Sequence, residues 1–445
     1  MILNEKYAKA LLEKVLAFSN ADGVQVNLRG SDQTNIRFAV NTMSTNGFSD
    51  GLSLTISSRF GKKIGSVATN KFDDSSLNEA VKKSEEVVKF SPDSKEYVEL
   101  LGPQTYNPFK NFSETTSKWF EGQKASDELN DVISASISND VSSAGFLNND
   151  ISFNSILNSK GLFAYSMSSD SGFSITVRTK EGNGSSRVEK RYVNSDSIKV
   201  TELSNRAIDR SILSKNPEEI SPGKYTVILE PAAVADMVSL GLNFMGARGA
   251  DEGRSFFSVK DGGTMIGQEV VNSKVTIYTD PTDELAPSNT FTSEGFPRSK
   301  TVWFENGVLQ NLHRDRYWAE KNNQTVIPYP SNIIMNGTEK SLEQMIAETE
   351  NGILVTRFWY IRTVSPKQML LTGLTRDGIF EIKNGKISRP VKNFRFNESP
   401  MNILKNVIDI GKAEKATGSE NESMQMFVPV LKVANFNFSS LSDAI

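Results

Sequence analysis

Apolar positions at Leu3, Tyr7, Ala10, Leu11, Val15 and Phe18, with Glu and Lys between them, predict an amphipathic helix at the start of the chain. Four alternating runs follow, GVQVNLRG, NIRFAVNTMS, GLSLTISSRF and KIGSVATN. Punctuated by Asn46-Gly47 and Asp50-Gly51, they read as a four-stranded antiparallel meander. A second helix begins at a capping box, Ser76 with Glu79 three residues on. Its buried stripe is Leu77, Ala80, Val81, Val87 and Val88, and Pro92 stops it. The aperiodic stretch from Gly102 to Asn111, with Pro103 and Pro108, reads as a linker. A second block carries a helical pattern over 114–138 and short strands near 145–157, 161–169 and 172–180. It continues through a polar loop from Glu181 to Arg187 and a helical pattern over 197–214.

Asn216-Pro217 and Ser221-Pro222-Gly223 mark the next break, after which the chain is strand-rich. KYTVILE is a buried strand running into the helix PAAVADMVSLGLNFM, where Pro231 suits the first helical position. Asn306-Gly307 and Asn384-Gly385 each sit between alternating runs, the signature of a two-residue hairpin. Short helices are expected from Ser341 to Glu350 and over 399–413, before a last strand FVPVLKVANFNFS. The expectation is an α+β fold in three parts. Residues 1–101 form an N-terminal domain with an antiparallel meander and flanking helices, 107–216 a middle α+β domain, and 222–445 a large β-rich C-terminal domain.

A length of 445 residues agrees with several domains. The 50 basic and 53 acidic residues leave a net charge of −3, so no global field exists to grip a phosphate backbone, and direct nucleic-acid binding is not expected. Zero cysteines and one histidine exclude disulfides, thiolate nucleophiles, Cys-ligated metals and any site needing two histidines from one chain. A Ser–His–Asp triad would have to use His313. No apolar run approaches the ~20 residues of a membrane span. Glu5, Lys6, Lys9, Glu13 and Lys14 interrupt any signal-peptide core, and the missing cysteines fit a cytoplasmic protein.

Gly246 and Gly249 in GARGADEG form neither a P-loop nor a dinucleotide fingerprint and read as a surface loop. Ser255 in GRSFF lacks the glycine of a nucleophile elbow. Asp280, Asp283 and Glu284 could offer oxygen ligands to a hard cation, but without calcium-loop spacing they read as a solvated turn. His313, beside Arg314, Asp315 and Arg316, reads as a surface or partner contact rather than a general base. The run TRFWYIR sets Arg357 and Arg362 around Phe358, Trp359 and Tyr360, a composition shared by interface hot spots and ordinary strand cores. Arg357, Trp359, Arg376 and Asp377, from two neighbouring hairpin regions, are the expected surface for a partner or peptide.

Three features together resemble one family over roughly residues 20–438. They are the meander with its RFAVN strand and GSVATN before a helix, the junction VILEPAAVADMV, and the series EGFPRSKTVWFENGVLQNL and TGLTRDGIFEIKNGKISRPVKNFRF. The resemblance is to the TldD/PmbA (TldE) family, once called modulators of DNA gyrase, which implies a cytosolic metallopeptidase. Metal-bearing members of that family carry His-Glu-x-x-x-His after the strand matching KYTVILE, with a cysteine ligand further on. Such a site polarises a carbonyl and activates water. Here Pro231, Ala232 and Asp236 stand at the first histidine, the glutamate and the second histidine; Glu230 is one residue out of register. The chain therefore resembles the TldE/PmbA side, which lacks the motif. That implies a non-catalytic subunit with no metal or cofactor of its own, pairing with a metal-bearing TldD-like paralogue. Its substrate would be an unfolded or leader peptide, taken as an added strand. Two other readings stand beside it: a stand-alone, self-associating peptide-binding or assembly protein, and an enzyme whose carboxylate site uses Asp236, Asp251, Glu252 or Asp377.

Overall fold

Gly23–Ala39 is one 17-residue strand, β1, although its sequence reads as two runs. It reverses through Val40 and Asn41, at φ 52° and 55°, into the 19-residue strand β2, Thr42–Phe60, with Ala39 paired to Thr42. With β3, Lys63–Thr69, the meander has three long strands rather than four. Asn46-Gly47 and Asp50-Gly51 do not turn, because each of these residues has a cross-strand partner in β1 that holds it extended. The structure is a computed structural model that describes residues 1–108 and 110–442. Phe109, inside the expected linker, and 443–445, at the end of the expected C-terminal domain, lie outside the described residues.

Helix α1, Glu5–Ala17, buries Ala8, Leu12 and Val15, so its inward stripe is rotated from the expected one and Tyr7 is exposed. Helix α2, Asp74–Phe90, is capped by Asp73, whose carboxylate accepts from the Ser76 N–H. The expected box at Ser76 is thus inside the first turn, because an aspartate three residues earlier already satisfies the free amide. Val87 faces solvent, and Ser84 takes the buried place, 2.6 Å from Ser58.

The helical pattern over 114–138 breaks into α3, Glu114–Lys118, and α4, Lys124–Ser138. Strands β4, Val141–Asn158, β5, Phe163–Thr179, and β6, Ser185–Tyr192, follow, then α5, Val200–Leu213. The expected strands 161–169 and 172–180 are one strand, and the second half of the expected polar loop belongs to β6. All six strands form one antiparallel sheet in the order β3-β2-β1-β4-β5-β6. Strand β1 pairs with β4 from Gln25↔Asn158 to Phe38↔Gly145, so the segments 1–101 and 107–216 share a sheet instead of standing as two separate units. Val24, Val26 and Leu28 of β1 pack in one apolar cluster with residues of α1 and α2. Ile36 and Phe38, on the same face, pack in another with residues of α4 and α5. The opposite face receives the rest of the chain, with Ile156, Leu162 and Ala164 against Phe291.

Beyond residue 222 the strands are β7, Gly223–Leu229; β8, Ile277–Thr279; β9, Thr301–Glu305; β10, Val308–Leu309; β11, Asn332–Met335; β12, Asn351–Val355; and β13, Phe358–Ser365. They continue as β14, Leu370–Thr375; β15, Ile379–Lys383; β16, Lys386–Pro390; β17, Phe394–Glu398; β18, Val407–Ala416; and β19, Gln425–Leu441. The helices are α6, Pro231–Asn243; α7, Ala247–Asp251; α8, Arg316–Lys321; α9, Leu342–Ala347; and α10, Pro400–Lys405. The strands form one mixed sheet whose spine, β19, pairs with β7, β11, β17 and β18. Asn306-Gly307 and Asn384-Gly385 turn as expected, each with positive φ. The expected helix over 399–413 stops at Lys405, because Val407–Ala416 pairs with β19. The glycines of GARGADEG open and sit within the short helix α7 rather than a loop. Phe358 stacks on Phe436 and Phe394 on Phe438, at 5.6 and 4.5 Å between ring centroids, fastening β13 and β17 to this spine. Among the described residues no helix is long and apolar enough to cross a membrane.

Residues 1–101 expressed alone are expected to stay largely unfolded, because β1 loses β4 on one side; residues 1–216 are expected to fold cooperatively. Dispersed amide resonances from the shorter fragment would contradict the shared sheet.

Candidate functional site

Strand β7 ends at Leu229; Glu230 is the N-cap of α6, and Pro231 follows at the first helical position. The Glu230 side chain makes no cap bond; only 4 % exposed, it turns to α5 of the other sheet. Arg210 donates to it through Nη1 and Nη2 at 2.9 and 2.5 Å, and Arg206 through Nη2 at 2.9 Å. The two arginines reach it together because residues four apart share a helix face. Burial opposes ionisation of Glu230, but the guanidinia of Arg210 and Arg206 overcome it and hold the carboxyl below its usual range. Unpairing a buried charge of this kind costs about 3–5 kcal/mol.

This ion pair borders a cavity of ≈ 60 Å³ between the two sheets. Lys190 of β6, also buried, donates to Glu414 at 3.0 Å and to the Lys415 carbonyl. Arg187 pairs with Glu189, and Arg357 enters from the loop before β13. Five cationic side chains on the wall thus face three carboxylates, Glu189, Glu230 and Glu414. Arg206, Arg210, Pro231 and Glu414 also line a wider cleft of ≈ 760 Å³ that extends to α9.

Asp236, fully buried in α6, faces the segment after β18. Its Oδ1 accepts from the Glu420 N–H and its Oδ2 lies 3.0 Å from Ser419 Oγ. Ser419 Oγ is also 3.0 Å from the Phe358 carbonyl. A hydroxyl has one proton to give, so serving both acceptors requires a proton on Asp236 Oδ2. Burial pushes the Asp236 carboxyl up to about 7, in agreement with that proton. A Cβ on Gly418 would lie 2.7 Å from Asp236 Oδ1, so this close approach needs glycine. Glu420 then accepts from the Ile361 N–H at 2.7 Å and pairs with Arg362, linking α6 to β13.

The four residues expected at a surface come together, but only half of them at the surface. Trp359 is 38 % exposed, with Arg357 and Arg376 on its ring at 5.2 and 5.1 Å. Arg357 and Asp377 are buried beneath it as an ion pair at 2.8 Å, because a carboxylate 3 % exposed needs a cation beside it. Arg357 thereby also becomes part of the cavity wall.

The remaining candidates are held apart by other partners. Asp251 accepts from Trp318 Nε1 at 2.7 Å, and Glu252 is tied to Arg248 and Arg254 at the surface. Asp280 and Asp283 close local turns onto Thr282 and onto the amides of Leu285 and Ala286, while Glu284 pairs with Lys110. Ser255 Oγ accepts from the Phe257 amide. His313 meets Tyr329 edge-on at 5.4 Å, and burial lowers its pKa; it is not on the cavity wall. Pro231 and Ala232 carry no ligand atom and Asp236 is consumed by its partners, so the residues present do not fit a peptidase metal. Among the described residues no group of three or more His, Asp or Glu is placed to hold a metal ion. Sequence reasoning missed Arg206, Arg210, Lys190, Glu414 and Thr417. The four-residue spacing of Arg206 and Arg210 was visible, but nothing local announced a carboxylate 20 residues on.

Residues 222–440 match the PmbA/TldA metallopeptidase C-terminal domain, and 120–215 the PmbA/TldA metallopeptidase central domain. An uncharacterized protein of Methanocaldococcus jannaschii is 26% identical over 428 residues, 91% of this chain and 95% of that one. A metalloprotease of Methanothermobacter thermautotrophicus is 25% identical over 293 residues, 61% of this chain and 60% of that one. The crystal structure of TldE from Thermococcus kodakarensis superposes with a TM-score of 0.85 at 16% identity, covering 97% of this chain and 99% of that chain. At that identity the likeness is one of fold.

The Asp236 carboxyl titrates higher folded than the ordinary ~3.9 of an unfolded chain. Its charged form is therefore disfavoured by folding, with no penalty below pH ~4 and the full penalty, about 4 kcal/mol, above pH ~7. Asp236→Asn keeps the acceptor for Glu420 and supplies the N–H for Ser419. It is expected to match the parent at pH 4 and exceed its stability at pH 8. Urea titrations at both pH values check this; equal stability at pH 8 would contradict the neutral acid.

Proposed function

The chain belongs to the TldD/PmbA metallopeptidase family, and within it we propose that it is a metal-free, non-catalytic subunit that acts in the cytoplasm with a metal-bearing TldD-like paralogue on unfolded or leader peptides. The observation that carries the reading is the start of α6. Pro231 and Ala232 offer no donor, and Asp236 is a buried acid turned to Ser419 and Glu420. A zinc peptidase needs about three protein ligands and an open position for water, and this junction supplies none. Strand β13 supports the peptide half of the reading. Among the described residues β14 is its one strand partner; the 419–420 segment takes the Phe358 carbonyl and the Ile361 N–H, and the exposed Trp359 and Tyr360 between them are the surface offered to a peptide.

The test is to purify the chain alone and together with a metal-bearing member of the family from the same genome, and to measure mass, zinc content and cleavage of an unfolded peptide. No cleavage is expected alone, and chelator-sensitive cleavage with a heteromeric mass is expected from the mixture. Stoichiometric zinc with chelator-sensitive cleavage by this chain alone would overturn the reading, and no complex or cleavage with the paralogue would favour a stand-alone binding protein. In the mixture, Trp359→Ala is expected to cut cleavage about tenfold or more while leaving the melting temperature within a few degrees, as for an exposed hot-spot aromatic. Unchanged cleavage would remove Trp359 from the working surface.

A further inference from the structure

We propose that the cavity at the start of α6 is a carboxylate subsite that takes the free C-terminus of an extended peptide; this rests on the peptide-handling reading above and adds the class of peptide. Three donors of different kinds meet on its wall without partners. The first is Arg357, 8 % exposed, which gives Nη1 to Asp377 and Nε to the Phe358 carbonyl and leaves Nη2 unused. The second is Thr417, 6 % exposed, whose hydroxyl has no hydrogen-bond partner among the described residues. The third is the start of the 13-residue helix α6. No side chain caps it, Glu230 offers only its carbonyl to the Val234 N–H, and the Ala232 N–H beside the cavity is left over. Buried donors are normally satisfied, and a helix N-terminus favours an anion through its free amides and dipole.

The carboxylates already on the wall do not use these donors. Glu230 is consumed by Arg206 and Arg210, Glu189 by Arg187, and Glu414 by Lys190. With Asp377 counted as the partner of Arg357, four anions stand against five cations, an excess of one positive charge. The cavity, ≈ 60 Å³ and partly open, has room for a carboxylate group. Arg357 lines the cavity and meets the ring of Trp359 on its other side. A free C-terminus held here would fix the register of the peptide relative to the partner's active site.

The probe is a hexapeptide of alternating alanine and serine, fluorescein-labelled at its N-terminus, prepared as the free acid and as the C-terminal amide. Anisotropy titrations on the full chain are expected to give at least tenfold tighter binding of the acid, the order of one charge-assisted hydrogen-bond set. Millimolar acetate is expected to compete with the acid and not with the amide. Thr417→Val, close to isosteric, is expected to weaken the acid about threefold to tenfold and leave the amide unchanged; Arg357→Lys is expected to reduce the preference while keeping a cation beside Asp377. Equal affinity for acid and amide, binding of neither, or an equal effect of Thr417→Val on both would overturn the subsite. Acetate binding without a preference for the peptide acid would also overturn it, as a small-anion site only. Partner-dependent cleavage of the amidated peptide, scored separately, tells failure of this subsite from failure of the subunit reading.

Discussion

A carboxylate removed from water at the end of a strand has to be met by cations, and for Glu230 they come from the other sheet. Arg206 and Arg210 lie 24 and 20 residues earlier, across the break at 217–223, on a helix of the six-stranded unit. Their bonds fix where the start of α6 sits against β6 and α5, and with it the small cavity that separates the two sheets. Pro231 fits the same geometry, since the helix begins where its missing N–H costs nothing. Lys190 and Glu414 repeat the arrangement nearby, joining residues 224 apart.

Behind that clasp lies a second chain of contacts. Asp236 holds the 418–420 segment, Ser419 reaches Phe358, and Glu420 reaches Ile361 and Arg362. The system works with a proton: a neutral acid can donate and accept within a dry site, where a carboxylate would carry an uncompensated desolvation cost. Gly418 is needed for the backbone to come this close. The fold of a peptidase is thus retained at a position whose side chains are satisfied among themselves, and the orientation of β13, with Trp359 and Tyr360 at the surface, depends on this network.

The Arg357–Asp377 pair shows how surface and core roles merge. Asp377 lies in a tight turn at φ 59°, and its burial obliges Arg357 to fold inward. Once there, the guanidinium supports the Trp359 ring on one side and the cavity on the other. The sequence pattern of Arg and aromatic residues was compatible with an interface and with a strand core, and both descriptions apply to different members of the same cluster.

The sequence by itself determined the features that depend on a few neighbouring residues or on composition. Asn306-Gly307 and Asn384-Gly385 turn because the positive φ values of a two-residue hairpin are accessible to them. Pro231 opens a helix because its fixed φ and missing N–H suit that position. One histidine and no cysteine exclude any site that needs two histidines or a cysteine from this chain, whatever the fold. Tertiary structure alone decided the rest. Gly30 to Gln33 and Asn46-Gly47 remain extended because ladder partners hold them. Val407–Ala416 is a strand because β19 lies beside it, and Glu230 points to α5 because only there are its charges balanced. Turn and cap preferences act over about four residues, whereas sheet pairing and the pairing of buried charges join positions tens to hundreds of residues apart, where a local pattern carries no information.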